Sequence, residues 1–505
     1  MYAGGWCGCV SHSDNFGSKL RRSPLCGEYL GHSTEVKEIR RLCKMNYLPL
    51  ALGMARRVSV RFQGWRRLYT DGLQRGSASL TQVRQLYMDV QDDSPPKKIR
   101  DVIQNLKETV GAAKSFHQKQ DRSSLLELLP ASQDELPSRT MKDSWDCAII
   151  PLGSDERLRE KYVNFMGGVR IGRLLEDLDV FAVWLCYKHV QNPRQKEDMP
   201  SPYVIVTALM DRIDFHQGVA LQADQDIKLS GHVSWAGRSS METVIAVEQY
   251  VDGLWKQVTQ AVFVLVARDH LNQGSAIINP LVCETSEERK IYHAGEVNKL
   301  HRKLIQEESL FRVPPNETEK TLVHEVFMSM ANPKELSFSS KITPKNSVWI
   351  EETKLKNLII CHPEHRNRFK KVYGGFIMRQ AYELGWACAF TYSKQRPRVL
   401  HIDDIMFRQP VEIGSLLYFN SQVVYTEGNR MQISTKASVV DARTASVNLT
   451  NIFHFTYEVD QPVPTALPKT YHEAMLYLDG RRHYQLVRGI RKFYGQGETV
   501  SDTGI

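Results

Sequence analysis

Two stretches of the chain, about two hundred residues apart, carry apolar side chains at a spacing that predicts one long amphipathic helix each. The first stretch spans residues 164–187, and a pair of glycines, Gly167 and Gly168, comes before its apolar positions. These positions follow the i, i+4, i+7, i+11 pattern of one helix face: Leu174, Leu178, Phe181 and Leu185. The pattern predicts a helix that opens at the glycine pair and turns this face toward a core.

The second stretch, residues 373–389, repeats the arrangement. A second pair, Gly374 and Gly375, comes before an apolar face made of Ile377, Ala381, Leu384 and Cys388. Each helix also carries a glutamate eight residues after its second glycine, Glu176 in the first and Glu383 in the second. A repeated helix with a carboxylate at a matched depth indicates both a duplicated domain and a candidate site.

Each predicted helix is followed by four segments that are typical of antiparallel strands and are separated by turn residues. Residues 431–439 show this most clearly, because apolar and polar side chains alternate there as in a half-exposed strand. The predicted strands are 204–211, 226–235, 240–250 and 256–268 in the first set, and 398–406, 415–425, 430–440 and 446–459 in the second. A helix whose apolar face is covered by such a sheet makes an α+β unit.

The two units align beyond their helices, since residues 210–215 match residues 402–407 and the hairpin that follows stays in step. A chain of 505 residues is also too long for a single core. The sequence therefore predicts two copies of one domain, paired face to face. The predicted divisions are an N-terminal helix and linker (76–146), a first copy (147–272), a helical connector (273–335), a second copy (336–460) and a C-terminal tail (461–505).

The positive charge of the chain is concentrated at its N-terminus. The formal net charge is +9, and residues 1–75 hold 13 Lys and Arg against 5 Asp and Glu, with no acidic residue between Lys44 and Thr70. An arginine-rich, acid-poor leader is typical of a mitochondrial transit peptide, and the alternative is a basic tail without a targeting role. Because the excess is confined to this leader, the charge does not indicate a nucleic-acid partner. We expect a mitochondrial location, in the matrix or at the inner membrane.

Composition gives no sign of a metal site, a disulfide framework or a membrane span. Five cysteines lie outside the leader, without CxxC spacing: Cys147, Cys186, Cys283, Cys361 and Cys388. The longest apolar run of note, residues 262–267, is far shorter than the roughly 20 residues that a membrane-spanning helix needs. We therefore expect neither a metal nor another cofactor, and no transmembrane segment.

Three motifs stand out in the repeated units: VRIGRLLEDLD (169–179), GHVSWAGRSSME (231–242), and VYGGFIMRQAYELGWA (372–387) followed by DDIMFRQPVEIGSLLYFNSQVVYT. With these motifs, a long helix and an antiparallel sheet, the repeated unit resembles the hotdog fold, and the tandem layout resembles the double-hotdog acyl-CoA thioesterases. The likeness covers roughly residues 97–480. It implies tandem hotdog folds forming a pseudo-dimer, an acyl-CoA substrate, hydrolysis to free fatty acid and CoA, and further self-association through the sheets.

The start of each long helix is where we expect the chemistry. A helix N-terminus offers backbone N–H groups and a partial positive charge, which suit the oxyanion that forms when water attacks a thioester. The glycines at these starts, Gly167 and Gly168 in one copy and Gly374 and Gly375 in the other, let a substrate approach the backbone closely. A helix carboxylate then acts as the base that activates water.

The resemblance implies a site shared by the two copies, one supplying an Asn before its glycine pair and the other an acid. Asn164 matches that Asn, while the corresponding place in the second copy is Lys371. One complete composite site is therefore expected, built from Asn164 and Glu383. The alternatives are that Asn164 only caps its helix and that Glu383 is a solvated surface acid.

The acid itself stays open at this point. The resemblance places it one position before the glutamates, where this chain has Leu175 and Tyr382. Glu176 and Asp177 are therefore candidates beside Glu383.

Two arginines on matched turns, Arg238 and Arg430, are candidates for binding CoA phosphates. The alternative is that they are exposed and only solubilising.

Two other function classes compete with hydrolysis. A hydratase or dehydratase acting on acyl thioesters would use a His with an acid, and neither predicted helix stretch, residues 164–187 or 373–389, contains a His. The second alternative is a module that binds acyl-CoA without turnover. A chain with only one complete composite site is also compatible with that function. The sequence also lacks a GxSxG elbow and a GxxxxGK[ST] loop, which disfavours a serine esterase and a nucleoside triphosphatase.

Overall fold

The structure, a computed structural model, describes residues 97–112, 123–196, 199–215, 221–251, 253–271, 273–332, 334, 341–367, 370–441 and 443–488. All of them belong to one compact unit, residues 75–505. The basic leader predicted at residues 1–75 and the end of the predicted C-terminal tail lie outside the described residues.

Three of the helices in the described ranges are long, with 19 to 22 residues each. The helices are α1 (Ile99–Thr109), α2 (Met141–Ser144), α3 (Glu156–Tyr162), α4 (Ile171–His189), α5 (Ser286–Glu307), α6 (Glu317–Ser329), α7 (Gly374–Ser393) and α8 (Tyr471–Val487). Of these, α4 and α7 are the two that the apolar spacing predicts. None of the helices in the described ranges is long and apolar enough to cross a membrane.

The strands follow the predicted pattern. They are β1 (Lys97–Lys98), β2 (Arg139–Thr140), β3 (Asp146–Ile150), β4 (Tyr203–Phe215), β5 (Ile227–Ala236), β6 (Ser240–Val251), β7 (Leu254–Asp269), β8 (Leu281–Val282), β9 (Ser347–Trp349), β10 (Leu355–Ile360), β11 (Arg398–Met406), β12 (Leu416–Glu427), β13 (Arg430–Val440), β14 (Val447–Glu458) and β15 (Thr465–Leu467). All eight predicted strands are present, with ends that agree within four residues. The prediction omits the other seven, which are β1, β2, β3, β8, β9, β10 and β15. The residues of β10 do not alternate cleanly.

One sheet of eleven strands joins the two halves of the chain, in the order β1-β3-β5-β6-β7-β4-β11-β14-β13-β12-β10. Read outward from the centre, one half has the order β4-β7-β6-β5-β3 and the other has the order β11-β14-β13-β12-β10. These orders correspond strand by strand, and β1 is an addition to the first half. The joint is the antiparallel pair β4–β11, in which Ile213 lies opposite Ile402. Both side chains are fully buried, so the two halves share a continuous core as well as a continuous sheet.

Helices α4 and α7 pack on the strands of their own halves and against each other. The predicted apolar face of α4 is buried, and in α7 Ile377, Ala381 and Cys388 are buried while Leu384 is partly exposed. A β-carbon on Gly375 would lie 2.8 Å from the Cα of Glu176, so the backbones nearly touch at this crossing. Gly375 is therefore required by close approach of the two helices.

The start of α4 differs from the prediction. The helix begins at Ile171, three residues after Gly168, whereas α7 begins at Gly374 itself. Gly167 instead occupies a turn before the helix with φ of 81°, a left-handed conformation that favours glycine. The two glycine pairs are thus not equivalent in the fold.

Backbone hydrogen bonds show the correct correspondence between the two copies. The N–H of Asn164 donates to the carbonyl of Gly168, and in the same way the N–H of Asn367 donates to the carbonyl of Lys371. The bridge between Val163 and Val169 likewise repeats in the second copy. Asn367, and not Lys371, therefore occupies the place of Asn164, which corrects the alignment drawn from the sequence.

With the asparagines matched, the residues of α4 and α7 pair differently from the way they pair when the glycine pairs are aligned. Counted from the matched asparagines, Gly172 corresponds to Gly375, and Asp179 corresponds to Tyr382. The glutamates Glu176 and Glu383, which appear matched when the glycine pairs are aligned, lie at different positions in the two copies. Asp179 is the acid on α4 that accepts a backbone N–H from the first turn of α7.

The ends of the described chain add helices outside the sheet. Residues 461–505 are predicted to be a tail, but Tyr471–Val487 form α8, which packs on β12, β13 and β14. Its Tyr477 ring contacts the Tyr425 ring edge to face, with centroids 5.2 Å apart. In the predicted connector, α5 and α6 are present, and α5 packs on β5.

Candidate functional site

The turn before α4 is organised by the side chain of Asn164. Its Oδ1 accepts hydrogen bonds from the N–H groups of Met166, at 2.9 Å, and Gly168, at 3.1 Å. Its amide group faces the carbonyl of Val169 at 3.4 Å. Asn164 is therefore not the N-cap of α4, a position that Arg170 occupies. Asn367 binds its own turn alike, accepting from the N–H of Lys371 at 3.1 Å.

The first turn of α7 donates a backbone N–H group to Asp179. The N–H of Gly375 lies 2.7 Å from Oδ2 of Asp179, and the hydroxyl of Thr207 on β4 donates to Oδ1 at 2.7 Å. The carboxyl group is buried, with 4% of the residue exposed. Burial raises the pKa of Asp179 to about 6, against the opposing effect of these two hydrogen bonds. A carboxylate with this pKa can accept a proton near neutral pH.

Glu176, one turn earlier on α4, is occupied by other partners. Its carboxylate accepts hydrogen bonds from the hydroxyl of Tyr373 at 3.0 Å, from Arg379 at 3.5 Å and from Arg173. The residue is 3% exposed. Glu176 therefore links α4 to the start of α7 through three hydrogen-bond donors.

Asp177 points away from this crossing, toward α3. The hydroxyl of Tyr162 donates to its Oδ2 at 2.5 Å. Burial raises the pKa of Asp177 to about 7, although the Tyr162 hydrogen bond and the Arg173 charge lower it. The described contacts do not join Asp177 to the first turn of α7.

Glu383 lies on the other side of the crossing and is more open to solvent. Its Oε1 accepts from Arg170 at 2.7 Å and from Arg379 at 3.3 Å, and 38% of its side chain is exposed. The structure does bring Glu383 near the start of α4, as the composite-site prediction requires. There, however, the place that matches Asp179 is taken by Tyr382, whose buried ring packs edge to face on Phe455.

The glycine pairs differ in what surrounds them. A β-carbon on Gly374 would lie 3.1 Å from the Phe407 ring and 3.3 Å from Oδ2 of Asp179, so Gly374 lines the space beside the acid. A β-carbon on Gly167 would meet no atom within 4 Å.

Neither predicted arginine contacts the crossing of α4 and α7 in the described part of the chain. Arg238 is exposed on the turn between β5 and β6, and its carbonyl accepts from the N–H of Ile278 at 3.0 Å. Arg430 donates through Nε to Glu458 at 2.9 Å. Its charge is therefore paired within the fold, and its role toward CoA phosphates stays a prediction.

Within the described ranges, one cluster brings together residues that could ligate a metal ion. His454, Asp479 and His483 place ligand atoms within 4.8 Å of one another, and His483 also lies 3.0 Å from Asp403. The two imidazole rings stack with centroids 3.6 Å apart and planes inclined by 15°. Because ring-nitrogen lone pairs lie in the ring planes, stacked rings do not aim them at one ion. The cluster lies on β14 and α8, away from the crossing of α4 and α7.

The arrangement at the crossing can activate a nucleophile and stabilise a negative charge. Asp179 is a buried carboxylate held by a hydroxyl, and beside it the N-terminus of α7 supplies backbone N–H groups in a low-dielectric environment. These are the groups that attack of water on an acyl carbon needs.

Comparison with known proteins decides the family. A family model of the thioesterase superfamily matches residues 369–445. The chain is 44% identical over 431 residues to the human mitochondrial acyl-coenzyme A thioesterase 9, a match that covers 83% of this chain and 97% of that protein. It is 46% identical over 391 residues to the Bos taurus protein of the same name, over 77% of this chain and 89% of that protein. The chain belongs to the acyl-coenzyme A thioesterase family.

Membership of this family confirms the resemblance and the hotdog thioesterase fold expected from the sequence. Among solved structures, an acyl-CoA hydrolase from Staphylococcus aureus in complex with butyryl coenzyme A, coenzyme A and coenzyme A disulfide is similar at a TM-score of 0.27. It is 18% identical, over 28% of this chain and 93% of that chain. The family assignment rests on the relatives and not on this likeness.

Sequence reasoning missed Asp179, Thr207 and Asn367. The signal that could have found the acid is a spacing of 15 residues, which separates Asn164 from Asp179 and also Asn367 from Tyr382. Aligning the asparagines instead of the glycine pairs would have revealed that only the first copy has an acid at this position.

Proposed function

We propose that the chain is an acyl-CoA thioesterase that hydrolyses acyl-CoA to free fatty acid and CoA, with Asp179 as the base. The observation that carries the assignment of the base is the pairing of Asp179 with the N–H of Gly375 at 2.7 Å and with Thr207 at 2.7 Å. The family supplies the reaction class, hydrolysis of a thioester bond. The geometry supports the residue roles.

The chemistry follows from this arrangement. Without substrate, the carboxylate of Asp179 accepts the hydrogen bond from the N–H of Gly375. A thioester carbonyl takes over that donor, and Asp179, still held by Thr207, removes a proton from water as the water oxygen attacks the acyl carbon. The tetrahedral oxyanion is stabilised at the N-terminus of α7, the C–S bond breaks, and the proton passes to the CoA thiolate. No metal or covalent intermediate enters this sequence of steps.

The chain, on this proposal, is a tandem double hotdog whose two halves act as a pseudo-dimer with one hydrolytic site. Support comes from the shared strand order and from the β4–β11 joint. The second composite position has Tyr382 in place of Asp179, so it lacks the base. The pair predicted from the sequence, Asn164 with Glu383, lies at that second position and is the competing proposal for the base.

The location and assembly of the protein are also proposals. The named relatives are mitochondrial, which supports a mitochondrial location, and we place the chain in the matrix or at the inner membrane. The substrate partner is acyl-CoA. Further self-association is proposed through the sheet, where the outer strand β10 exposes about half of the surface of Leu358 and Ile360. Light scattering of the purified protein tests this last point.

Release of free CoA thiol from a short-chain and a long-chain acyl-CoA tests the reaction class. The proposal expects steady thiol release that continues over many turnovers. Binding of acyl-CoA without thiol release would favour a non-catalytic binding module. Loss of an enoyl-CoA double bond without thiol release would favour a hydratase.

A further inference from the structure

We infer that Tyr373 and Glu176 are positioning residues, whose hydrogen bond fixes the first turn of α7 against α4 and so aligns Gly375 with Asp179. The inference rests on the proposed function of Asp179 and Gly375. It assigns no contact with substrate to either residue. Neither side chain takes part in the water attack itself.

The hydrogen bond joins the two helices at the point where the site is built. Tyr373 is the N-cap residue of α7, yet its side chain makes no cap hydrogen bond and instead donates to Oε1 of Glu176 at 3.0 Å. Two residues later the N–H of Gly375 reaches Asp179, which lies one turn after Glu176 on α4. The N-cap residue and the second residue of α7 are thus bound to two acids one turn apart on the same face of α4.

Glu176 is itself held in place, so it can serve as a fixed anchor. It is 3% exposed, and the guanidinium groups of Arg173 on its own helix and Arg379 on α7 both pair with it. Burial and the Glu176 charge raise the pKa of Tyr373, so its hydroxyl remains a donor at neutral pH. A buried, fully paired anchor of this kind holds its geometry better than an exposed ion pair does.

The opposite side of the crossing supplies a matched control. Arg170 is the N-cap residue of α4, in the place that matches Tyr373, and it donates to Glu383 on α7 at 2.7 Å. That link also joins an N-cap residue to the partner helix. It lies on the side where Tyr382 replaces the acid, so breaking it should affect stability without affecting the hydrolytic geometry.

Turnover by the full chain tests the inference through Tyr373→Phe, Glu176→Gln, the double variant and Arg170→Gln, with thermal unfolding measured for each. Tyr373→Phe should lower kcat about tenfold to a hundredfold, with KM changed less than about twofold, because a small displacement of reacting groups is costly. The double variant should be no worse than the worse single variant, since both changes break one interaction. Arg170→Gln should keep the kcat of the wild type.

A pH profile separates positioning from a charge effect. The Glu176 charge raises the pKa of Asp179, so Glu176→Gln should move the acid limb of kcat/KM to lower pH. Tyr373→Phe keeps that charge and should lower the profile without moving the limb.

Several results would overturn the inference. An unchanged kcat in Tyr373→Phe, losses that add in the double variant, or an equal loss in Arg170→Gln would each show that the link does not position the site. In those cases an active wild type and an inactive Asp179→Asn variant would leave the proposed function standing. A wild type that releases no CoA would overturn the proposed function and this inference together.

Discussion

Three buried acids lie within four positions of α4, and their hydrogen-bond donors give them different properties. Glu176 is bound by two arginines and a tyrosine, Asp177 by the hydroxyl of Tyr162, and Asp179 by one hydroxyl and one backbone N–H. Asp179 is the one whose carboxylate accepts a backbone N–H from the first turn of another helix. The raised pKa of a buried acid beside oriented donors is typical of functional sites.

The pKa of Asp179, raised to about 6, predicts the acid limb of the pH profile. The base must be deprotonated, so kcat/KM should be flat above pH 6 and fall about tenfold per pH unit below it. Thr207→Val removes a hydrogen bond that lowers this pKa, so its limb should move to higher pH. Initial rates in overlapping buffers measure both limbs. A profile with no limb between pH 5 and 7 would argue against Asp179 as the base.

At the scale of elements, the crossing of α4 and α7 depends on one close approach of backbones. A β-carbon on Gly375 would lie 2.8 Å from the Cα of Glu176, whereas one on the matching Gly172 would lie 3.1 Å from Cγ and 3.4 Å from the carbonyl oxygen of Arg379. The two glycines therefore occupy matching positions in the two copies, but Gly375 leaves less room for a side chain than Gly172 does.

Gly375→Ala should destabilise the protein by about 1–3 kcal/mol, the usual cost of overpacking a tight contact. It should also lower turnover, because the displaced helix start carries the N–H that faces Asp179. Gly172→Ala is the control and should cost less than Gly375→Ala, because its β-carbon would meet no backbone atom closer than 3.4 Å and alanine favours a helix by about 1 kcal/mol over glycine. Denaturant unfolding gives both values. Equal losses in the two variants would show that the crossing is looser than described.

Helices and strands were predictable wherever a local sequence pattern encodes them. The candidate site was not predictable, because it is built by contacts between residues far apart in the sequence. Alternation and apolar spacing predicted the strands and the apolar face of α4, because burial on one side imposes a period on the sequence. The contact between Asp179 and Gly375 joins residues 196 positions apart, and no local pattern encodes it. Helix α8 was also missed, because only part of its surface is covered and its sequence is rich in polar residues.

The wrong alignment of the two copies has a physical origin. The glycine pairs are easy to recognise in the sequence, but their glycines have different structural roles. Gly167 is needed for a left-handed turn, and Gly375 is needed where two helices cross closely. The asparagine turns that do correspond are defined by backbone hydrogen bonds, which a sequence does not display.

At the scale of the whole molecule, the continuous sheet couples the two halves. The β4–β11 joint buries Ile213 against Ile402 within a core that contains residues of both halves. The proposed site, which takes its acid from one half and its N–H donor from the other, needs this fixed relation.

The described halves should therefore unfold in one cooperative transition. Phe263→Ala, at a fully buried position of the first half, should cost about 3–5 kcal/mol and lower the single transition as a whole. Calorimetry together with near-ultraviolet circular dichroism measures this. Two separated transitions, with only one of them shifted by the substitution, would contradict the coupling.

The assignment of the base is tested most directly by CoA release from the full chain carrying Asp179→Asn or Glu383→Gln, each beside the wild type. The proposal predicts that Asp179→Asn lowers kcat by at least about a hundredfold, in the range expected for loss of a general base, while the protein stays folded and still binds acyl-CoA. Glu383→Gln should keep most of the wild-type turnover. The reverse result, an active Asp179→Asn and an inactive Glu383→Gln, would move the site to the opposite side of the helix crossing.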